Sequence, residues 1–212
     1  MERRFVAKGV APVKIETRTD GGKKIVGYGA VFYDPANASG TEYQLGERMQ
    51  ERISPAAFDR AIAENHDARG LYNHDPSHLL GRTASGTMRL SRDAKGLRYE
   101  IDLPDTQTGR DVAISIERGD LTGSSFAFVA TRTTWSEEQR GDAGIMIRSI
   151  DDLDLYDTGP VTYPAYEATS TGLRSAETET LQQEVAAWQR KRSSESDAVA
   201  IRSRLIQIGL DD

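Results

Sequence analysis

Cysteine is absent from this sequence of 212 residues. Its absence excludes disulfide bridges, thiolate zinc sites and a cysteine nucleophile. Long hydrophobic runs are missing as well: no stretch approaches the roughly 20 apolar residues that span a bilayer, and no apolar segment follows Arg3 and Arg4. We therefore expect a protein that is made and used in the cytoplasm, without a membrane partner.

An excess of positive charge is also lacking. The net charge is −6, which argues against nucleic acid as the main partner, because phosphate binding needs a clustered positive surface. The sign is uneven, since residues 1–24 contain seven basic and three acidic residues. We predict that this segment is a basic N-terminal arm or edge strand. A solvated tail is the simpler interpretation of the arm, and docking on an acidic partner is the alternative.

Short apolar strands dominate the residues that follow. Lys24–Phe32 is the first, and a turn at residues 92–95 joins two more into an antiparallel hairpin, Gly86–Ser91 and Gly96–Leu103. Two helices interrupt the strands, Pro55–Asn65 with Ser54 as its cap and Thr106–Glu117 with Thr108 as a possible cap. This pattern predicts a mainly β (α+β) fold, a closed antiparallel β-barrel flanked by short helices.

The character of the sequence changes beyond Tyr166. Two apolar stripes at helical spacing predict two amphipathic helices, with residues Leu181, Val185 and Trp188 in the first and Ile201, Leu205 and Ile208 in the second. We therefore predict three parts: an arm at 1–24, a β-barrel domain at 25–166, and an amphipathic helical tail at 167–212. The tail is either partly ordered, or docks on a partner, or is itself cleaved.

A polar turn becomes an alternating strand at residues 119–129. Phe126 and Phe128 fall on one face of this strand, and Ser125 falls on the other. A serine at such a junction is held rigidly while its hydroxyl reaches a ligand. The hydroxyl is nearly inert at neutral pH, so a nucleophilic serine needs a base within hydrogen-bond reach. Ser124 is a rival for this role.

Histidine, the usual base, occurs only three times. His66 follows the first predicted helix, where capping or exposure explains it. His74 lies where a short apolar lead is closed by a polar turn, which makes it the preferred base. His74 and His78 are four residues apart, but Pro76 between them disrupts the helical geometry that a metal-binding pair needs. We predict no metal site and no cofactor.

Four short motifs occur in a recognisable order. They are Glu-Arg-Ile-Ser-Pro-Ala-Ala-Phe-Asp at 51–59, Asn-His-Asp at 73–75 with Leu-Gly-Arg after it, Gly-x-Ser-Phe-x-Phe at 123–128, and an acidic strand from Asp154 into Pro-Val-Thr-Tyr-Pro-Ala-Tyr at 160–166. Together they resemble the prohead maturation proteases of tailed bacteriophages of the HK97 type. The likeness extends from about residue 27 to residue 166.

The resemblance implies a serine endopeptidase with a herpesvirus assemblin-like fold, a β-barrel flanked by helices. It assigns the nucleophile to Ser125, directly before Phe126, and the general base to His74. The third member must be a carboxylate, because no histidine follows Ser125. Asp157 matches the family's acidic position, and Asp154 is the alternative. Side chains alternate along a strand, so only one of the two should meet His74.

The resemblance also implies partners and a place of action. Substrates would be the phage scaffold, the major capsid protein and the protease itself, inside the assembling prohead in the host cytoplasm. We expect a homo-oligomer. Two other hypotheses remain open: a non-catalytic β-barrel assembly or scaffolding protein that docks through its C-terminal helices, and a small hydrolase that acts on a soluble ester.

Overall fold

The computed structural model describes residues 1–6, 9–163 and 175–207, and within the last range the side chains of 179–195. The chain divides into two compact units, Met1–Ser170 and Thr171–Asp212. The strands are β1 (Glu2–Phe5), β2 (Lys14–Thr17), β3 (Lys23–Val31), β4 (Tyr43–Gly46), β5 (Met49–Ile53), β6 (Arg69–Leu71), β7 (Leu79–Arg82), β8 (Met88–Arg92), β9 (Gly96–Asp102), β10 (Gly123–Arg140) and β11 (Ala143–Val161). The α-helices are α1 (Ala38–Thr41), α2 (Asp59–Ala63), α3 (Gln107–Glu117) and α4 (Ser175–Gln207), and a 3₁₀-helix covers Pro35–Asn37.

The larger sheet is built on the long hairpin of β10 and β11. Its strand order is β1-β10-β11-β5-β4, and β6 and β7 are attached through a pairing of β6 with β11. β10 is antiparallel to both β1 and β11. β5 and β6, in contrast, run parallel to separate stretches of β11. The first half of β10 is therefore hydrogen-bonded along both of its edges.

The smaller sheet has the order β2-β3-β9-β8 and is antiparallel throughout. The predicted hairpin is confirmed as β8 and β9, with Leu90 opposite Tyr99. The predicted strand at Lys24–Phe32 is confirmed as β3. Alternating apolar residues of β9, with Leu97, Tyr99 and Ile101 fully buried, turn one face of this sheet toward the interior.

The predicted closed antiparallel β-barrel is wrong. In the described part of the chain the strands form two open sheets, and two of the strand pairings are parallel. Residues from both sheets share one core cluster, in which Ala30 and Leu97 of the smaller sheet pack with Phe126, Phe128 and Leu155 of the larger. Alternation along a strand reveals that one face is buried but not which strand is its neighbour, so the pattern did not distinguish a barrel from two packed sheets.

The N-terminal ends of α2 and α3 differ from those predicted. α2 begins at Asp59 rather than at Pro55, and the Ser54 hydroxyl donates to Asp151 Oδ1 at 2.6 Å instead of capping a helix. α3 matches its predicted extent closely, but its cap is Thr106, whose Oγ1 accepts from the Gly109 amide at 3.1 Å. At Ser54, a tertiary partner takes the hydroxyl that the sequence pattern assigned to the helix cap.

In the unit from Thr171 to Asp212, the described residues 175–207 form one helix, α4, where two helices were predicted. Leu181, from the first predicted stripe, is buried. The second stripe lies outside the residues whose side chains are described. The predicted boundary after Tyr166, and the last residues of the fourth motif, fall in 164–174, which also lie outside the described residues.

Residues 2–5 form β1 at the edge of the larger sheet, and the Arg4 side chain is buried. A solvated arm was the simpler expectation for this segment. Its seven basic residues do not act as one group, because Arg4 is drawn inward by the buried carboxylate of Glu51. Among the described residues, no helix has the length and apolar character that crossing a membrane requires.

Candidate active site

The start of β10 places Ser125 between its two neighbouring strands, β1 and β11. Ser125 lies opposite Gly159 of β11, and Ala127 lies opposite Asp157. Because side chains alternate, the Ser125 and Asp157 side chains lie on the same face of this hairpin. Phe126 and Phe128 lie on the other face, where their rings stack at a centroid distance of 4.8 Å in the core. Packing of the two phenylalanines therefore fixes the direction of the serine hydroxyl.

His74 reaches this face from the loop between β6 and β7. Its backbone is in the left-handed region, with φ of 57°, and the preceding Asn73 has φ of 56°. Residues other than glycine adopt this region uncommonly, at a cost that the surrounding structure must offset. Two consecutive residues of this kind turn the chain sharply and aim the imidazole at β10.

Contacts with the end of β11 hold the turn in place. The backbone N–H of Asn73 donates to the backbone carbonyl of Pro160 at 3.0 Å. The Asn73 side chain accepts from the Thr162 amide at 2.8 Å and donates to the Thr162 hydroxyl at 3.1 Å, and the Tyr72 hydroxyl lies 2.7 Å from the same hydroxyl. No role for Asn73 was expected from the sequence pattern, although its place directly before His74 in the motif was the available signal.

The three residues singled out from the sequence come together here. His74 Nε2 lies 2.6 Å from Ser125 Oγ, and His74 Nδ1 is hydrogen-bonded to Asp157 Oδ1. The His74 and Asp157 side chains are almost entirely buried. A carboxylate beside Nδ1 holds a proton on that nitrogen, which leaves Nε2 free to accept one from a hydroxyl. The arrangement can activate Ser125 as a nucleophile.

The alternatives to these residues have other partners. Ser124 is buried with its hydroxyl 2.8 Å from the Tyr99 hydroxyl, on the opposite face from His74. Burial raises the pKa of Tyr99, so the phenol stays neutral. Asp154 is paired with Arg60 at 2.8 Å. His66 Nε2 lies 3.1 Å from the same guanidinium, away from Ser125.

Thr158 of β11, which packs against the smaller sheet, holds the main chain of Ser125. The Thr158 hydroxyl donates to the Ser125 carbonyl oxygen at 2.9 Å. Gly29 of β3 packs against this threonine so closely that a Cβ at position 29 would overlap its hydroxyl oxygen. The glycine-rich strand identified in the sequence thus allows close approach of a neighbouring element behind the serine.

Four charged residues form a largely buried cluster, which we name the charge cluster: Glu2, Arg4, Glu51 and Arg148. Arg4 Nε donates to Glu51 Oε1 at 2.6 Å, and Arg148 donates to Glu51 Oε2 and Glu2 Oε2 at 2.7 Å each. Burial lowers the pKa of Arg4, but the Glu51 carboxylate outweighs burial and raises it. The sequence pattern did not reveal this cluster, because its members lie on three separate strands.

β1 lies directly over the serine. The Ser125 hydroxyl donates to the Arg4 carbonyl oxygen at 2.9 Å, and the Phe5 ring meets the His74 ring edge-on at a centroid distance of 6.2 Å. Ser125 is fully buried as a result. Within the described ranges, no group of histidine, aspartate and glutamate side chains is arranged to hold a metal ion.

Comparison with known proteins identifies one family. The model of the caudovirus prohead serine proteases matches residues 11–184, which include Ser125, His74 and Asp157. Searches of curated proteins and of solved structures returned no significant match. The matched range covers most of the 212 residues. The chain therefore belongs to the caudovirus prohead serine protease family.

Proposed function

We propose that this protein is a serine endopeptidase in which Ser125 is the nucleophile, His74 the general base and Asp157 the residue that orients His74. The observation that carries the proposal is that one imidazole contacts both other residues, with Nε2 placed to accept from the Ser125 hydroxyl and Nδ1 hydrogen-bonded to Asp157. Membership of the prohead serine protease family supports the same reaction class.

The catalytic cycle follows from these contacts. Ser125 Oγ attacks the carbonyl carbon of the scissile peptide, and its proton passes to His74 Nε2. The tetrahedral intermediate collapses as His74 returns that proton to the leaving amine, which leaves an ester on Ser125. A water molecule, deprotonated by His74, then hydrolyses the ester and restores the serine. Asp157 stabilises the imidazolium that forms in both halves of the cycle.

Family membership also suggests the natural substrates. We propose that the protein cleaves the scaffold or capsid-protein extensions of an assembling phage head, and itself. This extension to particular substrates depends on the family alone, whereas the proposed chemistry depends on the geometry of Ser125, His74 and Asp157.

Coexpression with the head proteins of the same phage tests the proposal. We expect the wild type to produce shortened scaffold or capsid protein, and Ser125→Ala and His74→Ala to leave both intact. Ser124→Ala is the matched control, because it removes a hydroxyl from the adjacent residue and should retain processing. Processing by Ser125→Ala at the wild-type rate would reject the site.

A further inference from the structure

β1 occupies one edge of the strand that carries the serine. Arg4 lies opposite Phe126 and Phe5 opposite Ser125, in antiparallel register, and the Val6 amide continues the ladder to the Ser124 carbonyl at 2.9 Å. Adding a strand to a sheet edge is a common way in which proteins bind extended peptides. β1 is therefore bound to β10 in the manner of a peptide ligand.

The position of the Arg4 carbonyl has a direct chemical consequence. A serine hydroxyl has one proton, and two acceptors lie within its reach at Ser125: the Arg4 carbonyl oxygen at 2.9 Å and His74 Nε2 at 2.6 Å. Activation of the serine requires this proton to point at His74 Nε2, which lies 2.6 Å from Ser125 Oγ. With β1 in place, the carbonyl competes with the base for this proton and the chain itself covers the nucleophile.

The charge cluster determines which side chains are favoured in a strand that occupies the position of β1. Side chains two apart on β1, Glu2 and Arg4, point to the same face and meet Arg148 and Glu51. Arg4 contacts both oxygens of Glu51, through Nε at 2.6 Å and through a terminal nitrogen at 3.1 Å. Removing β1 would leave Glu51, which is fully buried, without one of its two arginines. Glu51 Oε1 would then lose its hydrogen-bond donor, Arg4 Nε, and a buried charged oxygen left without a donor is unfavourable. An incoming strand with arginine at that position is therefore favoured.

We propose, on the basis of the proposed function, that the β10 edge held by β1 is the substrate-binding edge of the peptidase. It takes an extended peptide with an acidic residue, any residue, an arginine and then an aromatic residue. The arginine side chain pairs with Glu51, its carbonyl faces Ser125, and the aromatic residue packs on His74. β1, with the sequence Glu-Arg-Arg-Phe, is a built-in competitor for this edge. The family match begins at residue 11, so β1 lies outside the part shared with the family.

A reversible crosslink tests whether β1 must leave. Arg3 lies opposite Ala127 in the ladder, and the chain has no cysteine of its own, so the double variant Arg3→Cys/Ala127→Cys forms a single disulfide. The probe is a fluorophosphonate, and the adduct on Ser125 is quantified by mass spectrometry with and without reductant. We expect labelling of Ser125 to be at least about tenfold slower in the oxidised form, because the open population falls.

Equal labelling of Ser125 in the oxidised and reduced forms would overturn this inference and leave the nucleophile assignment intact. Absence of an adduct on Ser125 in every variant would instead contradict the proposed function. The two failures are therefore distinguishable. Each single-cysteine variant, treated in the same way, serves as the control for effects of the substitutions themselves.

Peptides test the preference for arginine. In the full-length protein, Arg4→Ala weakens the attachment of β1 to β10, so Ser125 should be labelled faster in this variant than in Arg3→Ala. Arg3→Ala removes the same charge from the other face of β1. A peptide of residues 1–9 added to Arg4→Ala should slow the labelling. The same peptide carrying Arg4→Ala should protect Ser125 from labelling at least about 30-fold more weakly, as expected for the loss of one partner of a buried charge pair. The peptide carrying Arg3→Ala should protect Ser125 as well as the parent peptide does. Equal protection by the two altered peptides would overturn the assigned preference.

Discussion

The imidazole of His74 lies 2.6 Å from the hydroxyl of Ser125, although 51 positions separate the two residues in the sequence. Two features create this contact. The β10–β11 hairpin fixes the serine through the buried phenylalanines on its opposite face. The left-handed turn at Asn73 and His74, fastened to Thr162, brings the histidine to it.

The orienting carboxylate yields the first prediction. Asp157→Asn keeps the shape of the site but no longer holds the proton on His74 Nδ1, so we expect peptidase activity to fall about 10³- to 10⁴-fold. Asp154→Asn is the matched control, because Asp154 pairs with Arg60 and not with His74. Rates of peptide cleavage by the two variants check this. Equal activity would remove Asp157 from the site.

The anchor of the histidine turn gives a second prediction. Asn73→Gly tolerates the φ of 56° but loses both side-chain hydrogen bonds to Thr162. We expect kcat to fall about 10- to 100-fold because His74 is misplaced, with KM little changed. Asn65→Gly, at another position with positive φ of 50°, should have normal kcat. An unchanged kcat in Asn73→Gly would show that the turn holds His74 without this anchor.

Acid should weaken the attachment of β1. Burial raises the pKa of Glu2, but the hydrogen bond from Arg148 and the charges of Arg4 and Arg148 outweigh burial and hold it below the ordinary value of 4.5. The contribution of Glu2 to stability is therefore fully present above about pH 4.5 and is lost as the pH falls through the lower folded-state pKa.

The variant Glu2→Gln measures this contribution. At pH 7 we expect its free energy of unfolding to be lower than that of the wild type by about 1.5 to 3 kcal/mol, the range for hydrogen bonds to charged groups. The difference should shrink as the pH falls below 4.5. Denaturant titrations at several pH values provide the measurement, and a difference that is independent of pH would contradict this origin.

Close packing behind the nucleophile gives a further prediction. Gly29→Ala would place a methyl group on the Thr158 hydroxyl, which supports the Ser125 carbonyl. We expect a loss of about 1 to 3 kcal/mol in the free energy of unfolding, together with reduced activity. Gly46→Ala has its nearest contact at 3.8 Å and should be tolerated. Thermal unfolding of both variants checks this, and equal stability would show that Thr158 moves aside freely.

Sequence patterns predicted the local elements near the site. The β8–β9 hairpin follows from the alternation of apolar residues around the turn at 92–95, and α3 follows from its helical apolar spacing. The order of four short motifs predicted which histidine, serine and aspartate would meet. The hydrogen bonds of His74 agree with that choice over Asp154 and Ser124, which have other partners.

What the sequence did not predict depends on contacts between distant strands. The sequence pattern predicted a barrel and not the two sheets, because the parallel pairing of β5 and β6 with β11 leaves no signature in any of these strands alone. Arg4 looked like part of a solvated arm, since its partner Glu51 lies 47 positions away. Ser54 resembled a helix cap, but Asp151, 97 positions away, takes its hydroxyl.

Locating the residue that reacts with a fluorophosphonate in the full-length protein tests whether Ser125 is a nucleophile activated by His74. Mass spectrometry of the labelled protein should find the adduct on Ser125, and the adduct should be absent from Ser125→Ala and strongly reduced in His74→Ala and Asp157→Asn. An adduct on Ser124, or labelling of Ser125 that is unaffected by His74→Ala, would show that these two residues do not act as nucleophile and base.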